Sequence, residues 1–260
     1  MKMSIKVSLV SLIVLVFLIS TAGAATLDLK RLLLFYPCDE SSGETLKDAS
    51  GRGFDAAIPK AKWEKGVFGN AVRIEKTNSE VRGDILSSVG ATGQISMMCW
   101  INLTTHTNYN GIISVEAPNE GDPVCCEFRL MIDPAKSPFW NAGHHVDKNL
   151  DGKFIFELKT WYHYAMVANG DKTVIYIDGK SVGEQTEAFK LPTLKDTIIY
   201  VGTGEKPGTW WIENAALDEI MIWDKALTED EINLVMEGSK IFMAVGSQGK
   251  LATTWARLKQ

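Results

Sequence analysis

Three aspartates carry the oxygen chemistry a metal ion could use. Asp39 closes the first apolar run, Asp48 lies in the polar loop DESSGETLKDASGRG at 39–53, and Asp218 lies in the late stretch LDEIMIWD. Calcium takes six to eight oxygens from carboxylates, backbone carbonyls and water. Asp39, Asp48 and Asp218, with the carbonyls of a Gly/Ser-rich loop, are therefore candidate calcium ligands. The same residues can equally close turns: Asp48 and Ser50 suit Asx- and Ser-turns, and Asp218 can cap a strand end. Both readings stand at this stage.

Aromatic side chains give a second chemistry. Trp140, Trp210 and Trp211 fall in loop-like surroundings, and His144-His145 follow Trp140 closely. An exposed indole stacks on the apolar face of a sugar ring, so Trp140, His144 and Trp210 are the candidate glycan contacts. Adjacent residues in a strand point to opposite faces, so at most one of Trp210 and Trp211 faces a ligand. The competing role is packing, and Trp100, Trp161 and Trp223 sit inside strand patterns and read as structural.

Catalysis needs more than this. A retaining glycosidase requires two carboxylates about 5 Å apart. The adjacent pair Asp218-Glu219 should face opposite sides of a strand, and neither a Gly-x-Ser-x-Gly elbow nor an ordered Ser, Asp and His set is present. The expectation is a protein that is not an enzyme.

The formal charge of −5, without clustered Lys or Arg, argues against nucleic acid or an anionic membrane as partner. It leaves neutral ligands open. Lys2 and Lys6 precede an apolar run over 7–19 and the small residues Ala22-Gly23-Ala24. That is the pattern of a secretory signal peptide over 1–24, too short for a comfortable membrane span. It predicts a secreted or periplasmic protein with no membrane insertion after cleavage. Of four cysteines, Cys38 and Cys99 lie in apolar strand patterns where cysteine acts as a small hydrophobe. Cys125 and Cys126 are neighbours, and the pairing is not readable.

These residues need a scaffold. The stretch Trp161–Lys180 reads as a meander: two strands joined at Asn169-Gly170, then a second turn at Asp178-Gly179, since Asn-Gly and Asp-Gly tolerate positive φ. Further strands are predicted near 32–38, 71–75, 95–103, 111–116, 125–132, 153–157, 198–202 and 216–223. About a dozen short strands with regular turn signals predict an all-β, two-sheet antiparallel sandwich. One helix is signalled by the capping box Thr228-Glu229-Asp230-Glu231, with Ile232, Val235 and Met236 on one face and Gly238 after it. The predicted domain spans 25–238, with a tail over 239–260.

Five stretches in order resemble laminin G-like domains of the concanavalin A-like lectin/glucanase class. They are Tyr36 to Gly53, WEKGVFGNAV at 63–72, ISMMCWI at 95–101, the hairpin WYHYAMV…IYIDGK, and IYVG at 199–202 leading to LDEIMIWDKALTEDEI at 217–232. The resemblance implies a jelly-roll sandwich whose first and last strands pair, which would bring Asp218 near Asp39 and Asp48 and suit a structural calcium. It implies recognition of glycan, or otherwise adhesion to an extracellular protein, with hydrolysis the more distant alternative. Residues 116–150 match nothing in that pattern.

Overall fold

The structure is a computed structural model that describes residues 26–83, 92–116, 128–142, 148–186, 197–204 and 210–238. The predicted signal segment, the tail, His144, Cys125 and Cys126 lie outside those residues.

Two eight-stranded antiparallel sheets stack face to face. Sheet 1 holds β1 (Leu32–Tyr36), β4 (Lys62–Lys65), β5 (Asn70–Ile74), β7 (Ile95–Thr105), β12 (Trp161–Ala168), β13 (Lys172–Ile177), β14 (Lys180–Thr186) and β16 (Asn214–Trp223). Its order is β14-β13-β12-β7-β16-β5-β4, with β1 also on β16. Sheet 2 holds β2 (Thr45–Leu46), β3 (Ala56–Ala57), β6 (Ser79–Gly83), β8 (Asn110–Glu116), β9 (Phe128–Ile132), β10 (Pro138–Ala142), β11 (Lys148–Asp151) and β15 (Thr197–Val201). Its order is β11-β10-β9-β8-β15-β6-β3-β2.

The sequence explains the central meander. Asn169 accepts from the amides of Asp171 and Lys172 through its side-chain oxygen (3.1 and 2.8 Å), which closes the first turn. Asp178 and Gly179 both have positive φ (49° and 73°), the twist a two-residue hairpin demands. Alternate residues then face inward. Tyr164, Met166, Ile175 and Ile177 join Cys99, Ile101, Leu217 and Ile220 in the inter-sheet core.

The helix α1 (Glu229–Val235) covers part of sheet 1 from outside. Thr228 and Glu231 form the reciprocal capping box, and Ile232 and Val235 pack on Met98, Ala165, Met221 and Trp223. This second cluster buries the outer face that a two-sheet sandwich would otherwise leave wet.

Two expectations change. Residues 153–157 are not a strand: the amides of Lys153 and Phe156 bond the carbonyls of Val182 and Lys136 outside any ladder. Within residues 116–150, which match nothing in the family pattern, the strand expected near 125–132 is present as β9, and β10 and β11 are added beyond it to form the outer end of sheet 2.

Candidate functional site

The first site grows from one β-bulge. Along β16, Ala215–Leu217 pair with β5 and Ile220–Trp223 with β1, so the neighbour changes at Asp218-Glu219. On the other side the register moves from Asp218↔Trp100 to Met221↔Met98, one residue more on β16 than on β7. Glu219 takes φ +52° there. Leu217 and Ile220 both reach the inter-sheet core, so the bulge sets two residues, not one, between inward positions. Simple alternation, which put Asp218 and Glu219 on opposite faces, is thereby overturned.

The β4–β5 turn fills the gap. Asp218 is fully buried, and its Oδ2 accepts from the amides of Val67 (2.9 Å) and Phe68 (3.0 Å). From the other side Asp39 Oδ1 accepts from the amide of Asn70 (3.1 Å), while the Asn70 side chain donates to the carbonyls of Asp39 and Glu40. Two glycines permit this grip. A Cβ on Gly66 would lie 2.5 Å from Asp218 Oδ2, and one on Gly69, at φ +74°, 1.9 Å from Asp39 Oδ1. Gly69→Ala is therefore expected to cost about 2–4 kcal/mol in denaturant unfolding, from clash and strained backbone together. Gly43→Ala, at φ +88° with nothing within 4 Å of the added carbon, should cost only about 1 kcal/mol.

The three predicted metal ligands thus divide. Asp39 and Asp218 meet on one turn. Asp48 sits apart, accepting at Oδ1 from the amides of Phe35 and Ser50 and at Oδ2 from Ser50 Oγ and the Phe54 amide. It performs the Asx-turn role. Among the described residues no group of three or more His, Cys, Asp or Glu side chains could hold a metal ion. The pair does have one feature suited to a hard cation: Asp218 Oδ1 is buried without a hydrogen-bond partner among those residues. Burial chiefly, with the Asp39 charge adding, pushes the Asp218 carboxyl up to about 7.

Cys38 and Cys99 are free thiols. β1, which leads to Cys38, and β7, which carries Cys99, flank β16 on opposite sides. Two strand spacings are about 9–10 Å, beyond the reach of a disulfide. Burial pushes both thiols up, Cys38 further through Asp218, Glu40 and Glu219. Neither is set up as a nucleophile.

The second site lies on the outer face of sheet 2, where Arg129 and Phe139 alternate with the core residues Phe128, Leu130 and Trp140. Trp210 is 37% exposed, and its backbone is fixed where its carbonyl accepts from the Gly111 amide (2.8 Å). Its ring stands 6.0 Å from that of Tyr109, which is 5.7 Å from Phe139. The Arg129 guanidinium lies 5.5 Å from the Trp210 ring centre and pairs with Glu116 at 3.2 Å. Gly204 lets the indole settle, since a Cβ there would be 3.1 Å from it. Trp211 is half-buried.

Trp140 is placed differently from the loop position expected of it. It is the middle residue of β10, in register with Leu130 and Leu150, 2% exposed and part of the inter-sheet core. Tyr109, Phe139 and Arg129 accompany Trp210 instead, and the sequence reading missed them. Tyr109 alone had a signal, an aromatic residue inside the turn-forming run Asn108–Gly111.

Two antiparallel sheets with one short helix form a sandwich of the concanavalin A-like kind. The family described as the concanavalin A-like lectin/glucanases superfamily matches residues 76–233, and the chain belongs to it. No curated protein matches the sequence. Among solved structures, domain 4 of AbnA, an extracellular arabinanase from Geobacillus stearothermophilus in complex with arabinotriose, aligns with TM-score 0.62 at 18% identity, over 79% of this chain and 98% of that one. The botulinum neurotoxin serotype D/C binding domain aligns at 0.59 and 15%, over 80% and 52%. Trypanosoma rangeli sialidase aligns at 0.59 and 15%, over 82% of this chain and 33% of its own. The chain thus spans a third to a half of the sialidase and toxin chains. At such identities the likeness shows the fold.

Proposed function

We propose that this chain is an exported, non-catalytic glycan-binding module. The observation that carries the reading is Trp210: an exposed indole braced by Tyr109, Arg129 and Gly204, the kind of rigid aromatic surface on which a sugar ring stacks. The arabinotriose bound by the arabinanase domain supports the ligand class by likeness of fold alone. Non-catalysis is supported by the burial of Asp218 and Glu219 at the β-bulge in sheet 1, while Trp210 lies over Arg129 on the outer face of sheet 2. Glycosidase carboxylates must flank an accessible bond. A calcium ion held by Asp39 and Asp218 belongs to the same proposal; the oxygen-only pair supports it, and a rise in melting temperature with calcium tests it. Export rests on the leader-like residues 1–24. Among the described residues no helix is long and apolar enough to cross a membrane.

The test is binding of the chain to a broad panel of polysaccharides, with calcium and with EDTA. Trp210→Ala should weaken any selective binding at least about tenfold and move the melting temperature by less than about 2 °C. Binding that survives the substitution undiminished refutes the role of Trp210. Should the panel give no binding, protein adhesion takes precedence; Ile155 and Leu158, 55% and 40% exposed, are the apolar surface that would carry it.

A further inference from the structure

The outer face of sheet 1, beyond the part that α1 covers, carries a row of side chains in direct register. Trp161 on β12 pairs with Asn102 on β7, Asn102 with Ala216 on β16, and Ala216 with Arg73 on β5. Their chain neighbours Ile101, Leu103, Ala215, Leu217, Val72 and Ile74 all enter the inter-sheet core, so the row points outward. Trp161 is half-buried and joins neither hydrophobic cluster, which departs from the structural role its strand pattern suggested. β13 pairs with β12 only from Tyr164 onward.

The far end of the row is rigid and polar. Arg73 donates through Nε and Nη2 to both carboxylate oxygens of Glu64, 2.5 Å each, and through Nη1 to Thr104 Oγ1 (2.7 Å) and Asn214 Oδ1 (2.6 Å). Such a fork holds geometry as well as charge. Arg73 thus reaches across β16 to Thr104 on β7, and Ala216, in register with it, is fully buried, so the guanidinium walls one side of the surface that Trp161 and Asn102 offer. Two residues before Asn102, on the same face, Trp100 Nε1 is buried with no acceptor among the described residues. A buried indole N–H normally has one.

We infer that this row is a second glycan-contact surface, fitted to a neutral oligosaccharide lying on β12 and β7 against the Arg73–Glu64 pair. Trp161 offers the stacking face, Asn102 both donates and accepts, and Arg73 with Glu64 presents hydroxyl-binding edges. The occupant is neutral because the guanidinium is already matched by Glu64: an acidic sugar would compete with Glu64, a cationic group with Arg73. Hydroxyls satisfy both without separating the pair. The inference rests on the glycan reading above but places contacts on the opposite side of the sandwich from Trp210.

Titration calorimetry with arabinan, xylan and mixed-linkage β-glucan, and with polygalacturonate as the acidic counterpart, tests it on the full chain. Trp161→Ala and, independently, Asn102→Ala should each weaken binding of a neutral polymer at least about tenfold, with polygalacturonate the poorer ligand for the wild type. Asn102→Ala keeps the test valid should the tryptophan variant fail to fold. Wild-type affinity in both variants, with loss in Trp210→Ala, overturns this surface and leaves the first site standing. Preference for polygalacturonate overturns the neutral class. Failure of the wild type to bind any polymer overturns both readings together.

Discussion

Trp140→Ala is expected to destabilise the fold by about 3–5 kcal/mol, the range for deleting a buried large aromatic side chain. For a domain of this size that lowers the melting temperature by roughly 10 °C. The indole lies between Leu130 and Leu150 in the inter-sheet core at 2% exposure, so its removal opens a cavity that neighbours on two adjacent strands can only partly close. The comparison with Trp210→Ala separates packing from recognition. Trp210, at 37% exposure, should lose binding and keep stability; Trp140 should lose stability and, measured below its lowered melting point, keep affinity. Thermal unfolding and polysaccharide titration on the two variants decide it. A Trp140→Ala protein as stable as wild type but unable to bind would return this residue to the ligand surface.

That contrast shows where the sequence was legible. Asn169-Gly170 and Asp178-Gly179 announce their turns by backbone chemistry that few other pairs supply, and the structure closes turns there. Thr228 and Glu231 announce a helix start for the same reason. Trp140 gives no such signal. Its strand is five residues long, begins at Pro138 and sits near a sheet end, so period-two alternation has too few positions to register. Residues 153–157 carry the β-favouring run Phe-Ile-Phe, yet the amides of Lys153 and Phe156 go to the carbonyls of Val182 and Lys136 outside any ladder. The bulge at Asp218-Glu219 is the most hidden feature: Glu219 adopts a positive φ that its residue type does not advertise. Yet that single irregularity gathers Asp39, Asp218 and the Gly66–Gly69 turn. Asp48, grouped with them by type and by resemblance, has its oxygens engaged in its own loop.

The second large effect follows from the same bulge. Asp218→Asn is expected to stabilise the protein at pH 8 in EDTA by about 2–4 kcal/mol, or roughly 5–10 °C in melting temperature. Burial raises the Asp218 carboxyl from 3.8 to about 7 in the folded state. A raised carboxyl favours folding while it is protonated in both states, so its contribution is complete below about pH 4. It is lost between about pH 4 and 7, where the unfolded chain ionises while the folded protein still holds the proton, and the loss is complete once the pH has passed 7. Asparagine keeps an acceptor for the amides of Val67 and Phe68 and stays neutral throughout. The two proteins should therefore converge near pH 4, separate between pH 4 and 7, and differ little more at pH 8 than at 7. Calcium at Asp39 and Asp218 would supply the missing counter-charge, so its addition at pH 8 should raise the melting temperature of the wild type and leave the asparagine variant unmoved. A variant less stable than wild type at pH 8 in EDTA, or a difference independent of pH, would show that the ionised Asp218 is matched within the fold by a group other than the Gly66–Gly69 turn.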